Sequence, residues 1–113
     1  MSDMAVLYTT WPDEKSAERA AETLLEDRLI ACANVLGPVR SVFRWRGETC
    51  REREVAVLFK TAEAQAETVR DRLLHLHPYD EPAIVQLAVS PAGTSPAFAA
   101  WVAAESSGPG RQA

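Results

Sequence analysis

Apolar residues come in short clusters along this chain, and their spacing alternates between the period of a strand and that of a helix. Ala5-Val6-Leu7-Tyr8-Thr9 is a run of β-formers and predicts the first strand. Trp11-Pro12-Asp13 breaks it. Asp13 is placed to cap a helix, with Glu14 next to the positive end of the helix dipole. Ala17, Ala20, Ala21, Leu24 and Leu25 then recur at helical spacing, so an amphipathic helix runs to about Arg28. Ile30 to Trp45 reads as one long strand interrupted at Gly37-Pro38, where a proline marks a bulge or an edge. Beyond it Val39, Ser41, Phe43 and Trp45 share one face, and Arg40, Arg44 and Arg46 the other. Arg46-Gly47-Glu48 is a turn. Glu54 to Lys60 predicts a third strand, apolar enough to be central and covered on both faces.

Thr61 is expected to cap the second helix, with Glu63 in its first turn. Ala66, Val69, Leu73 and Leu76 form its buried stripe, and Pro78 stops it after His77. Ala83 to Val89 predicts the last strand. Ser95 to Glu105 predicts a C-terminal helix with Phe98, Trp101 and Val102 on one side. The expected organisation is one domain over residues 4–105 and a flexible tail over 106–113. The element order fits an α+β, ferredoxin-like βαββαβ fold. Right-handed crossovers put both main helices on one face of a four-stranded antiparallel sheet, with the added helix at the C-terminus. The hairpin between the second and third strands outreaches its neighbours. An open sheet face and a long unpaired edge are liabilities that closed association covers, which predicts a homo-oligomer.

Composition narrows the partners. The 113-residue chain carries a net charge of −4, which argues against a general nucleic-acid binder. No apolar run approaches the roughly 20 residues needed to cross a bilayer. The acidic start, Met1-Ser2-Asp3-Met4, has no basic region ahead of a hydrophobic stretch. The expectation is therefore a cytoplasmic protein with no membrane partner, in which Cys32 and Cys50 are free thiols.

Candidate chemistry concentrates in His77-Pro78-Tyr79-Asp80-Glu81-Pro82, where two prolines stiffen a segment holding an imidazole, a phenol and two carboxylates. The same segment also reads as a helix C-cap followed by a rigid turn. A metal site needs three or four converging ligands; His77, Asp80 and Glu81 are candidates, with Cys32 arriving from the second strand, and such donors suit copper better than magnesium. Enzymatic readings lack support: no nucleophile elbow or Gly-rich phosphate loop is present, and Thr9-Thr10-Trp11-Pro12 offers no cationic cradle for an acylphosphatase-like site. Arg44, Arg46, Glu48, Arg51, Glu52, Arg53 and Glu54 alternate in sign along the hairpin, as cross-strand ion pairs or an intersubunit register device would require. Trp45 near the tip is expected to be buried against a neighbour.

Taken in order, these residues resemble the CutA family of divalent-cation tolerance proteins. The resemblance rests on Pro12 before an Ala-rich helix, Leu29-Ile30-Ala31-Cys32-Ala33-Asn34, Ser41-Val42-Phe43-Arg44-Trp45-Arg46-Gly47, Glu54, Lys60-Thr61, His77-Pro78-Tyr79 with Pro82 and Ile84, and Trp101. It implies a cytoplasmic homotrimer in which long hairpins cross between neighbours, linked to tolerance of divalent metals, copper especially. No catalytic residue is expected, and copper or zinc is the candidate ion. On that reading His77, Cys32 and Glu81 are the metal candidates, and Lys60, Tyr79 and Trp45 line an intersubunit cleft. The alternative is a trimeric scaffold or signalling protein that binds a small molecule in such clefts. The sequence departs from the family pattern at Phe43, Phe98 and Arg46, and at Ala83, where a Glu is usual. The copper pattern associated with the family, a Cys ending the first strand and paired His residues, falls here on Thr9, Leu76 and His77.

Overall fold

The computed structural model describes residues 3–108. Strand β1, Met4–Trp11, is longer than the apolar run alone suggests. Its odd positions, from Ala5 to Trp11, are buried on one face. Asp13 caps helix α1, Glu14–Glu26, accepting the Ser16 N–H on Oδ1 at 2.7 Å. Ala17, Ala20, Ala21 and Leu24 are the buried stripe of α1. The helix ends slightly before Arg28, because Arg28 adopts φ 57° and turns the chain.

Strands β2, Cys32–Trp45, and β3, Glu48–Ala62, form the long hairpin. Its loop is Arg46-Gly47, both at positive φ (50° and 82°), the two-residue geometry whose twist matches that of the flanking strands. The ladder runs from Trp45↔Glu48 to Cys32↔Lys60, with one irregularity between Val35 and Gly37, where the Gly-Pro interruption was expected. Strand β3 therefore extends well beyond the predicted Glu54–Lys60, since polar residues pair as readily as apolar ones once the hairpin is formed. Fourteen residues of β2 span roughly 48 Å at about 3.4 Å each, close to the molecule's 50 Å long axis.

Thr61 is not a helix cap. It is a buried strand residue whose Oγ1 donates to the Leu29 carbonyl at 2.6 Å. A 3₁₀ turn at Glu63–Gln65 separates β3 from helix α2, Ala66–Leu76, which buries Ala66, Val69 and Leu73. Strand β4 is only Ile84–Leu87, shorter at both ends than Ala83–Val89. Helix α3, Pro96–Glu105, buries Ala99 and Val102. Phe98 and Trp101 do not join that buried side; they stay partly exposed and pack on each other at 5.7 Å.

The sheet order is β2-β3-β1-β4, fully antiparallel, the ferredoxin-like arrangement expected. Helices α1 and α2 cover the face bearing Leu7, Trp11, Val57 and Phe59, and this is the main core. Truncating one of its buried leucines, Leu24 or Leu73, to Ala would cost about 2–5 kcal/mol. A smaller cluster joins α3 to Met4 and Ala31. Elsewhere the opposite face is open, leaving Val85 and Leu87 about half exposed. Of the expected tail over 106–113, residues 106–108 are held to the domain: Ser106 is buried and its Oγ accepts the Ala62 N–H, while the Gly108 N–H donates to Arg28 O, both at 2.9 Å. Residues 109–113 lie outside the described residues.

Candidate functional site

The segment after α2 is anchored by His77, which is 7% exposed. Its ring stacks on Trp11 at 4.0 Å between centroids and tilts against Tyr79 at 4.9 Å. The Tyr79 backbone N–H donates to His77 Nδ1 at 3.1 Å, so Nδ1 carries no proton. Nε2 lies 2.7 Å from the Thr10 carbonyl, which can only accept, so Nε2 holds the hydrogen. The imidazole is therefore neutral and fully engaged. Burial pushes its pKa below the ordinary value, against the upward pulls of the Thr10 carbonyl and Glu54. Behind the stack, Trp11 Nε1–H donates to Thr9 Oγ1 at 2.6 Å, and that hydroxyl passes its hydrogen to Val57 O at 3.0 Å.

With its backbone held there, Tyr79 sends its phenol across the sheet to Glu54 Oε2, 3.1 Å away. Burial first, and then this bond, push the phenol pKa up to about 12. The Tyr79–Glu54 contact forms one wall of a cleft of about 750 Å³ between the hairpin and the 79–83 segment. Phe43, Trp45 and Tyr79 give it aromatic surface; Glu52, Glu54, Asp80 and Glu81 give it carboxylates; Thr10, Cys50 and Ala83 line it as well. Among the described residues Arg46 is the one cation in the lining, and its guanidinium sits over the Trp45 ring at 5.6 Å.

The strand period explains this polarity. From the register, Glu48, Cys50, Glu52 and Glu54 share a face with Val39, Ser41, Phe43 and Trp45, while Arg51 and Arg53 stand on the other with Arg40 and Arg44. Arg40 is directly opposite Arg53, and neither salt bridge among the described residues, Arg70–Asp71 or Arg72–Asp27, involves the hairpin. The expected cross-strand ion pairs do not form, because the alternation sorts the charges by face instead of pairing them. That alternation was the available signal for Glu52 and Glu54, which sequence reasoning passed over as site residues.

The metal candidates are not brought together. Cys32 pairs with Lys60, which pairs with Val6, whereas His77 is anchored at Thr10, four residues further along β1; the offset along the strands alone is roughly 13 Å, and β2 lies two strands from β1. Glu81 is exposed in the cleft wall. With both nitrogens committed, His77 presents no lone pair to an ion. Thr9 is fully buried on the helix-covered face, and its hydroxyl is occupied. Among the described residues no three His, Cys, Asp or Glu form a metal-holding group. Tyr79 and Trp45 line one cleft within the single chain, and Lys60 lies outside it, its ammonium 5.4 Å from the Phe98 ring. The Cys32 thiol is pushed up by burial and partly drawn back by Lys60.

A family model described as CutA1 divalent ion tolerance protein matches residues 5–105. The chain belongs to this family. Among curated CutA relatives, the divalent-cation tolerance protein of Pyrococcus horikoshii is 45% identical over 86 residues, 76% of this chain and 83% of that protein. The solved CutA of Xylella fastidiosa is 33% identical and superposes with a TM-score of 0.86, covering 92% of this chain and 98% of that one. The solved CutA of Archaeoglobus fulgidus, described as a periplasmic divalent cation tolerance protein, is 32% identical with a TM-score of 0.82, covering 88% and 94%. The Pyrococcus horikoshii and Archaeoglobus fulgidus proteins are both named for tolerance of divalent cations. No helix among the described residues is long and apolar enough to cross a membrane.

Proposed function

We propose that this CutA chain works as a cytoplasmic homotrimer in the response to divalent metal ions, copper and zinc among them. It offers them an acidic cleft and not a preformed coordination set. The observation that carries this reading is the gathering of Glu52, Asp80 and Glu81 around a cavity of about 750 Å³, beside a Glu54 already tied to Tyr79. Carboxylates at an open, wet site attract divalent cations through long-range field more than through tight ligation. A cation there keeps most of its water unless a neighbouring subunit adds donors.

Assembly is supported by exposed apolar surface. Leu36, Val42, Trp45, Val85, Leu87 and Trp101 are each between 44% and 63% exposed in the single chain. Surface of this kind on an open sheet face and a protruding hairpin favours association. The free state of Cys32 and Cys50 fits a reducing compartment. The reading includes no catalytic step.

Calorimetry with Cu²⁺ and Zn²⁺ tests it, comparing the wild type with an Asp80→Asn, Glu81→Gln double variant. Uptake that weakens several-fold in the variant is expected. Absent uptake, or uptake indifferent to those two carboxylates, sinks the cleft reading. Light scattering at micromolar concentration should give three times the chain mass; a single-chain mass sinks the trimer.

A further inference from the structure

We propose that His77 is the positioning residue of the cleft and its proton-operated latch: in the neutral Nε2–H form it fixes Tyr79 over Glu54, and protonation releases that hold. The proposal goes beyond the metal reading and rests on it only in taking the cleft as the functional site.

The argument starts from direction. Nδ1 accepts the Tyr79 N–H and Nε2 donates to Thr10 O, so the ring bridges β1 and the loop that leads to β4. Adding a proton at Nδ1 turns the acceptor into a donor facing another donor. The Nε2–H to Thr10 bond survives protonation; the Tyr79 bond cannot. The ring is therefore held to β1 in both states and to the loop in only one. The lost contact is the one that places Tyr79, whose phenol then holds Glu54.

The surroundings set the direction of the equilibrium. Strand β1 presents the Thr10 carbonyl and the Trp11 ring, neither titratable. Strand β3 presents Glu54, whose negative charge favours the imidazolium. The loop presents the Tyr79 phenol, which the charges of Glu54, Glu52 and Asp13 also keep protonated. Burial opposes the charged ring and is the largest influence. Protonation therefore carries a cost in the closed state that disappears on opening, and this couples proton uptake to release of the loop. A stacked histidine serving only as packing would need neither nitrogen committed.

The test is metal-free NMR of the full chain in a His75→Asn background, which leaves His77 as the one imidazole. At pH 8 the ring should show the Nε2–H tautomer. On acidification its midpoint should fall below the ordinary value of 6.5. The Tyr79 amide resonance should move with the same midpoint, and its exchange protection should drop roughly three- to tenfold, the factor one lost hydrogen bond carries. An Nδ1–H tautomer at pH 8, or a Tyr79 amide indifferent to the His77 titration, overturns the latch. A His77→Phe variant keeps a ring on Trp11 without the acceptor; Tyr79 protection should then be low and lose its step with pH. If that variant does not fold, the titration in the His75→Asn background alone decides. Because no metal is added, failure of the latch and failure of the cation reading are separate results.

Discussion

Tyr79 reaches from the loop before β4 to the middle of β3 and donates its phenolic hydrogen to Glu54 at 3.1 Å. The contact joins the two sides of the cleft, and it has a spectroscopic signature. The folded phenol ionises at about 12 and the unfolded one near its ordinary value of 10. The unfolded chain therefore loses this proton first, and stability falls as pH rises from about 10 to 12. Removing the acceptor charge with Glu54→Gln should lower the phenol midpoint and narrow that window. Phenolate absorbance after a rapid pH jump, in a Tyr8→Phe background, reads the midpoint directly. An unchanged midpoint in Glu54→Gln would mean that burial alone holds the phenol protonated.

The relay Trp11–Thr9–Val57 predicts an asymmetry between two threonines. Thr9→Val leaves the fully buried Trp11 indole N–H without an acceptor, which costs about 1–3 kcal/mol. Thr61→Val removes a donor from the Leu29 carbonyl, and an under-satisfied carbonyl is tolerated better than an orphaned N–H. Urea unfolding with unchanged slopes should show the larger fall in midpoint for Thr9→Val. The reverse order would count against the relay.

The order βαββαβ was legible because each element carries its own period and each break its own chemistry: Pro12-Asp13, Arg46-Gly47, Pro78. The errors share a cause. Thr61 has the composition of a cap, but its odd position on β3 turns it inward to Leu29, 32 residues away, and pairing with Met4 and Ala5 carries the strand past it. The chemistry of His77 alone predicts a donor to metal. What decides its role is Thr10, 67 residues earlier, together with the Tyr79 N–H, and no local pattern encodes the first of these. Net charge hid the hairpin's two faces, since summing along the chain cancels what the pleat separates. The hairpin carboxylates of the cleft, Glu52 and Glu54, are visible in the alternation that begins at Glu48, once that alternation is read as a face and not as a set of pairs.

Cys32 offers a test of the open sheet face. Burial raises its thiol pKa, and the Lys60 ammonium across the ladder partly offsets this. Less thiolate at neutral pH means slow alkylation. Lys60→Met removes the offsetting charge and should slow alkylation of Cys32 further, with peptide mass spectrometry separating it from Cys50. If Lys60→Met instead speeds the reaction, the ammonium shields the thiol sterically and the electrostatic account is wrong.

Ala83 bears most directly on the proposed encounter of the cleft with cations. It lines the same cavity as Asp80 and Glu81. Ala83→Glu adds one carboxylate to a wall that already carries like charges. Without metal, the added repulsion should lower stability by a few tenths of a kcal/mol at low salt, and salt should relieve it because the site is open to water. With metal, the extra oxygen donor should replace one water on a bound cation and tighten Zn²⁺ or Cu²⁺ several-fold. The two effects have opposite signs, so thermal unfolding with and without Zn²⁺ separates them. Destabilisation without metal that Zn²⁺ reverses is the expected pattern. Destabilisation that Zn²⁺ leaves untouched would mean that residue 83 does not face the bound ion.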